Sequence, residues 1–145
     1  MPVVLLIDAY APFREAMDFC LPEFGYDVLT AADLDAAEEV AAAVRIDVVL
    51  LGLSQPYRAG FAAAGAVFAA PRLAGVPVVV LGWPVDAGLQ AWARAAGAAA
   101  VVPKPFFWPD LLGVLQRVTG AGDTEPPGVH EAVLPVAWPG DYAQR

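Results

Sequence analysis

The 145-residue chain is poor in the residues on which most protein chemistry depends. Its single cysteine, Cys20, cannot form a disulfide within the chain, as expected of a protein of the reducing cytoplasm. Its single histidine, His130, has no cysteine or acidic partners at zinc-ligand spacing. With Glu131 beside it, that histidine still assembles no Ser-His-Asp arrangement. Charged residues are only 17% of the chain, and the net charge of −8 excludes nucleic acid and anionic membrane surfaces as expected partners. The longest aliphatic runs, Val3–Ile7 and Val78–Leu81, are too short to cross a bilayer. Met1-Pro2-Val3 lacks a basic n-region and Asp8 interrupts the first apolar run, so no secretory signal is expected. No Gly-x-Gly-x-x-Gly follows that run, which removes the dinucleotide-binding reading. One lysine, Lys104, stands among seven arginines, and its position is correspondingly informative.

What is abundant is apolar. Hydrophobic residues make up 59% and the mean hydropathy is +0.57, which excludes disorder of the main body. Four apolar runs (Val3–Ile7, Val48–Leu51, Val78–Leu81 and Ala98–Val102) lack polar alternation, the pattern of a parallel sheet covered on both faces. Val28–Ala31 suits an edge strand. Helical periodicity fills the intervals: Pro12–Phe24, Leu34–Ala43 with Asp33 as its cap, Gly60–Ala70, Val85–Ala96, and a last helix that starts at Pro109 and ends before Gly120. The β-α alternation predicts an open α/β sandwich over residues 1–119. Residues 120–145 form a Pro/Gly-rich tail carrying a small apolar island, Val133–Trp138.

In such a sheet the functional crevice lies at the carboxyl ends of the central strands. The residues there are Asp8-Ala9-Tyr10, Gly52-Leu53-Ser54, Gly82-Trp83-Pro84 and Pro103-Lys104-Pro105-Phe106. Together with Arg14-Glu15, Asp47–Leu51, Pro77–Leu81 and Gly97-Ala98, these motifs fall in an order that resembles the receiver domains of bacterial two-component response regulators. The resemblance covers roughly residues 1–119. It implies a flavodoxin-like three-layer sandwich, a five-stranded parallel sheet of order 2-1-3-4-5 flanked by five helices. It also implies a cis bond at Lys104-Pro105.

The reactive set departs from that family. The resemblance places a phosphoacceptor aspartate at Gly52, a second Mg²⁺-binding acid at Ala9, a hydroxyl residue at Gly82, a small residue at Trp83 and an aromatic switch at Val101. Only Asp8 and Lys104 remain. Glycine offers no nucleophile, and one aspartate beside a lysine is a poor host for a dication. Ser54 has no adjacent base, and Asp47 lies at the far end of its strand. We therefore expect an Asp8–Lys104 ion pair, no cofactor, no catalysis, and signalling by protein interaction without aspartyl phosphorylation. Two alternatives are an anion or small-ligand sensor in a pocket opened beside Lys104 by Ala9, Gly52 and Gly82, and a receiver with a displaced acceptor.

A protein partner is the expected ligand. The helix from Gly60 carries no charge, which fits either an alanine-rich surface or a docking face covered by the Val133–Trp138 island or by another protein. Phe61, Phe68, Trp92, Phe107 and Trp108 are the candidate interaction residues, since aromatic anchors suit interfaces. The resemblance implies homodimer pairing through the fourth helix, fifth strand and fifth helix.

Overall fold

The computed structural model describes residues 1–53, 61–83 and 85–120. Five strands, β1 (Val3–Ile7), β2 (Asp27–Ala31), β3 (Val48–Gly52), β4 (Val78–Gly82) and β5 (Ala100–Pro103), alternate with five helices. The helices are α1 (Ala11–Cys20), α2 (Leu34–Ala43), α3 (Phe61–Ala69), α4 (Ala87–Ala96) and α5 (Trp108–Thr119). All strand pairs are parallel, in the order β2-β1-β3-β4-β5.

Strand periodicity sorts the core into two halves. Leu5, Ile7, Val49, Leu51 and Val80 meet Ala37 of α2, Ala64 and Val67 of α3, and Leu89 and Ala93 of α4. Their neighbours Val4, Leu6, Val48, Leu50 and Leu81 turn the other way, onto Met17 of α1 and Leu111, Leu112 and Leu115 of α5. Residues on both faces are buried, so the strands carry no polar alternation.

Several element ends differ from the sequence reading. Pro22 cannot donate an N–H and its ring crowds the preceding turn, so α1 stops at Cys20 and the chain finishes in a 3₁₀ turn, Leu21–Phe24. Gly25 then takes the left-handed conformation, φ 91°, that reverses the chain. Helix α4 starts at Ala87 because the Asp86 side chain accepts the Leu89 N–H at 2.8 Å and caps it there. Strand β5 begins at Ala100, two residues late, because the Ala98 N–H closes the end of α4 on the Ala93 carbonyl. The expected cap on α2 is present, with Asp33 accepting the Ala36 N–H at 2.9 Å.

Helix α3 turns its larger side chains inward. Ala64 and Val67 are buried and Phe61 and Phe68 half-buried, while Ala62, Ala63, Ala66 and Ala69 form the exposed face. The Val133–Trp138 island lies outside the described residues, as do Ser54, His130 and Glu131. Among the described residues no helix is long and apolar enough to cross a membrane.

Candidate functional site

The sheet register brings the carboxyl ends of four strands level: Ile7 lies beside Leu51, Gly52 beside Leu81, and Gly82 beside Pro103. Asp8, the first residue past β1, is therefore carried into the middle of the edge. Its backbone N–H donates to the Ala31 carbonyl at 3.0 Å, and its own carbonyl accepts Arg14 Nη1 at 2.8 Å. The carboxylate is fully buried. Oδ1 accepts the Tyr10 N–H at 2.9 Å, and Oδ2 accepts Lys104 Nζ at 2.5 Å.

Lys104 arrives from the other side of the sheet. Its N–H donates to the Gly82 carbonyl at 3.1 Å, its bond to Pro105 is cis, and its side chain is 17% exposed. The ammonium sits 4.5 Å from the centre of the Phe13 ring, a cation–π contact that adds to the ion pair. The pair expected from the sequence is thus formed, with Arg14, Tyr10 and Phe13 as supports that the sequence reading did not assign. Phe13 and Arg14 stand near the start of α1, five and six residues past Asp8, and of the two only Arg14 belongs to a motif of the sequence reading, Arg14-Glu15.

The small residues at this edge do not leave holes where their side chains would be. A Cβ built on Gly52 would fall on Oδ2 of Asp8 and 2.7 Å from its Cγ. One built on Gly82 would lie 3.1 Å from Cδ2 of Leu89 and 3.6 Å from Cδ1 of Leu53. Ala9 is exposed and supplies no donor. An open cleft of about 550 Å³ lies outward of the pair, lined by Tyr10, Pro12 and Phe13 after β1, Leu53 after β3, Trp83 after β4 and Lys104 after β5.

The resemblance implies Mg²⁺ at this edge, but the donors do not fit it. Mg²⁺ is held through oxygen ligands in a near-octahedral shell. Here one carboxylate remains, and both its oxygens already accept hydrogen bonds, one of them from an ammonium. Among the described residues no three His, Cys, Asp or Glu side chains gather where they could hold a metal. Asp47, at the opposite end of β3, accepts the Val3 N–H at 2.7 Å and takes no part.

The five aromatic residues proposed for an interface separate into two groups. Phe61 of α3 stacks on Trp92 of α4 at 4.4 Å and 2°, with Phe68 edge-on to the same indole at 6.0 Å. On the other face of the sheet, Trp108 stacks on Phe24 at 5.0 Å and meets Phe106 edge-on at 5.2 Å. Phe107 is 46% exposed at the start of α5. Val101, the aromatic switch position of the resemblance, is half-buried against the α2–α3–α4 side of the core. Sequence reading also missed Asp110, in the first turn of α5. Its side chain is buried, its Oδ1 has no partner, and desolvation raises its pKa above the ordinary carboxylate value.

Against known proteins, no family model matches the chain. The transcriptional regulatory protein KdpE of Mycobacterium tuberculosis is 33% identical over 131 residues, 88% of this chain and 57% of that protein. The chain therefore spans a little over half the length of the curated relatives it matches first. Two solved structures are matched almost end to end. The chemotaxis response regulator CheY4 of Vibrio cholerae has a TM-score of 0.68 and 31% identity, over 81% of this chain and 98% of its own. A response regulator receiver protein from Burkholderia phymatum has a TM-score of 0.70 and 30% identity, over 88% of this chain and 99% of its own. The strand order, the Asp8–Lys104 edge and these whole-length matches agree, and the chain belongs to the response regulator receiver domains.

Proposed function

We propose that this domain is a degenerate receiver, which works in signal transduction by binding a protein partner and neither accepts a phosphoryl group nor catalyses a reaction. The observation that carries this reading is the Asp8 carboxylate lying where a side chain on Gly52 would be, closed onto Lys104. Charge balance supports it. Three acids and a lysine, the set implied by the resemblance, sum to −2 and call for a divalent cation. Asp8 and Lys104 sum to zero, so this edge is electrostatically complete without one. Phosphoryl transfer needs an in-line nucleophile and positive charge to neutralise the oxygens that develop in the transition state. Gly52 supplies no nucleophile, and the lysine is committed to Asp8.

The net charge of −8 makes a protein the fitting partner rather than nucleic acid, and the single cysteine, Cys20, suits the reducing cytoplasm. Pairing of two copies through α4, β5 and α5 belongs to the same reading, with Phe107 exposed at the start of α5. The test is incubation of the full chain with acetyl phosphate and Mg²⁺, read by intact mass, beside a receiver that retains its acceptor aspartate. The expected result is an adduct on the control and none on this protein. A phosphorylated species of this chain, or a saturable Mg²⁺-dependent change in tryptophan emission, overturns the reading.

A further inference from the structure

The cleft beside the ion pair is not accounted for by protein docking elsewhere on the domain, and its position is the one this architecture uses for ligands. In the order β2-β1-β3-β4-β5 the chain direction across the sheet reverses between β1 and β3. The helices following those two strands leave on opposite faces, α1 against the α5 side and α3 against the α2–α4 side. A crevice forms outside the strand ends at such a point. The cleft takes its lining from Tyr10 and Phe13 past β1 and Leu53 past β3, on either side of that reversal. Its volume, about 550 Å³, falls within the ~300–1,000 Å³ typical of small-molecule sites.

The lining chemistry narrows what would fit. Three of the lining residues, Tyr10, Phe13 and Trp83, are aromatic, and Leu53 adds an aliphatic floor. Tyr10 is 60% exposed and Trp83 half-buried, so apolar ring surface still faces water there. Among the described residues of the lining Lys104 is the one that carries charge, and its ammonium is held by Asp8 at 2.5 Å and covered by the Phe13 ring. The pair is neutral, and the chain around it is strongly acidic. An inorganic anion entering this cleft would have to pull the lysine from a buried carboxylate, against the field of the whole protein.

We propose that the cleft at the ends of β1, β3 and β4 binds an uncharged, flat aromatic small molecule against the rings of Tyr10, Phe13 and Trp83. This goes beyond the reading of the domain as a protein-binding module and does not depend on it. The site is formed by the folded receiver itself, whether or not phosphate is ever accepted.

The test uses the full chain and N-phenyl-1-naphthylamine, a neutral aromatic probe whose emission rises when it leaves water. Saturable binding of one probe per chain is expected. Tyr10→Ala and Trp83→Ala should each weaken it by about tenfold or more. Phe19→Ala, on the exposed outer face of α1, should leave it unchanged. Inorganic phosphate should not displace the probe. Because Tyr10 is largely exposed, its replacement leaves the core intact and decides the matter even if Trp83→Ala does not fold. Non-saturable binding, equal effects of Phe19→Ala and Tyr10→Ala, or displacement by phosphate each overturn the proposal.

Discussion

Replacing Lys104 by methionine isolates the contact on which this site is built. Methionine keeps most of the aliphatic stem and removes the ammonium, leaving the Asp8 carboxylate with the Tyr10 N–H as its remaining hydrogen bond. The carboxylate is fully buried and the lysine only 17% exposed, so solvent screens the pair little. Stranding one member of such a pair costs about 3–5 kcal/mol, a large share of the ~5–15 kcal/mol that stabilises a typical domain. With an unfolding entropy of ~2.1 cal/mol/K per residue over the roughly 110 described residues, the melting temperature should fall by roughly 13–22 °C. Urea unfolding followed by far-ultraviolet circular dichroism should show the lower midpoint with an unchanged slope. The double variant Asp8→Asn/Lys104→Met removes both charges while keeping an acceptor for Tyr10. It should be less destabilised than the sum of its single variants by at least ~1.5 kcal/mol. A loss below ~1 kcal/mol for Lys104→Met, the level of an exposed pair, would refute the reasoning. So would additivity in the double variant.

Gly52→Ala should cost about 1–3 kcal/mol, because its methyl would overlap the Asp8 carboxylate, and the cost should disappear in an Asp8→Ala background. Both are measured by the same unfolding transition. Asp110, buried with an unpartnered Oδ1, has a folded pKa raised above 3.8 by desolvation. Its contribution is therefore most favourable below the unfolded pKa and is lost as pH rises through the folded one. Asp110→Asn should flatten that decline and raise stability at pH 7 by on the order of 1 kcal/mol, read from denaturation midpoints across pH. Tyr26, also buried, has a phenol pKa raised above 10.0 by desolvation, opposed in part by its hydrogen bond with Thr119. Its stabilising contribution is present at neutral pH and lost as pH rises through the folded value. Tyr26→Phe should cost about 0.5–1.5 kcal/mol at pH 7 and weaken the alkaline dependence of the unfolding midpoint.

The layer order was legible because runs such as Val48–Leu51 and Val78–Leu81 have one explanation, a sheet buried on both sides. Asp8 and Lys104 stood out for a different reason: the resemblance to receivers left them as the two members of the reactive set still present, and opposite charges at neighbouring strand ends pair. Boundaries were less legible where two signals overlapped. Ala98 reads as strand by its apolar neighbours, yet its N–H completes the end of α4. The aromatic residues were the least legible. Phe61 and Trp92 lie 31 positions apart in sequence and stack at 4.4 Å only because α3 and α4 share one face of the sheet. Phe106 and Phe107 are adjacent, yet Phe106 packs beside Phe13 and Trp108 while Phe107 is exposed. Composition cannot separate such neighbours, because the difference arises in tertiary packing.

The polar losses at this edge and its apolar gains belong together physically. With Ala9 and Gly52 where the resemblance implies carboxylates, the strand ends lack the charge that would hold water and a cation there. The remaining acid, Asp8, then occupies the Gly52 position and is neutralised by Lys104. At Gly82 the space is taken by Leu89 and Leu53 instead of a hydroxyl, and the next residue is the half-buried Trp83. On the proposed reading, each departure makes the edge less hospitable to ions and more hospitable to apolar surface. A buried, neutral ion pair at the back of the cleft adds little long-range field at its mouth, and among the described residues the rings of Tyr10 and Trp83 are what the proposed ligand meets there. The proposed inertness toward phosphoryl transfer and the aromatic lining of the cleft rest on the same side-chain pattern. Placing an acid at position 52 should disturb both together, displacing Asp8 from Lys104 and leaving an uncompensated charge beside the aromatic rings.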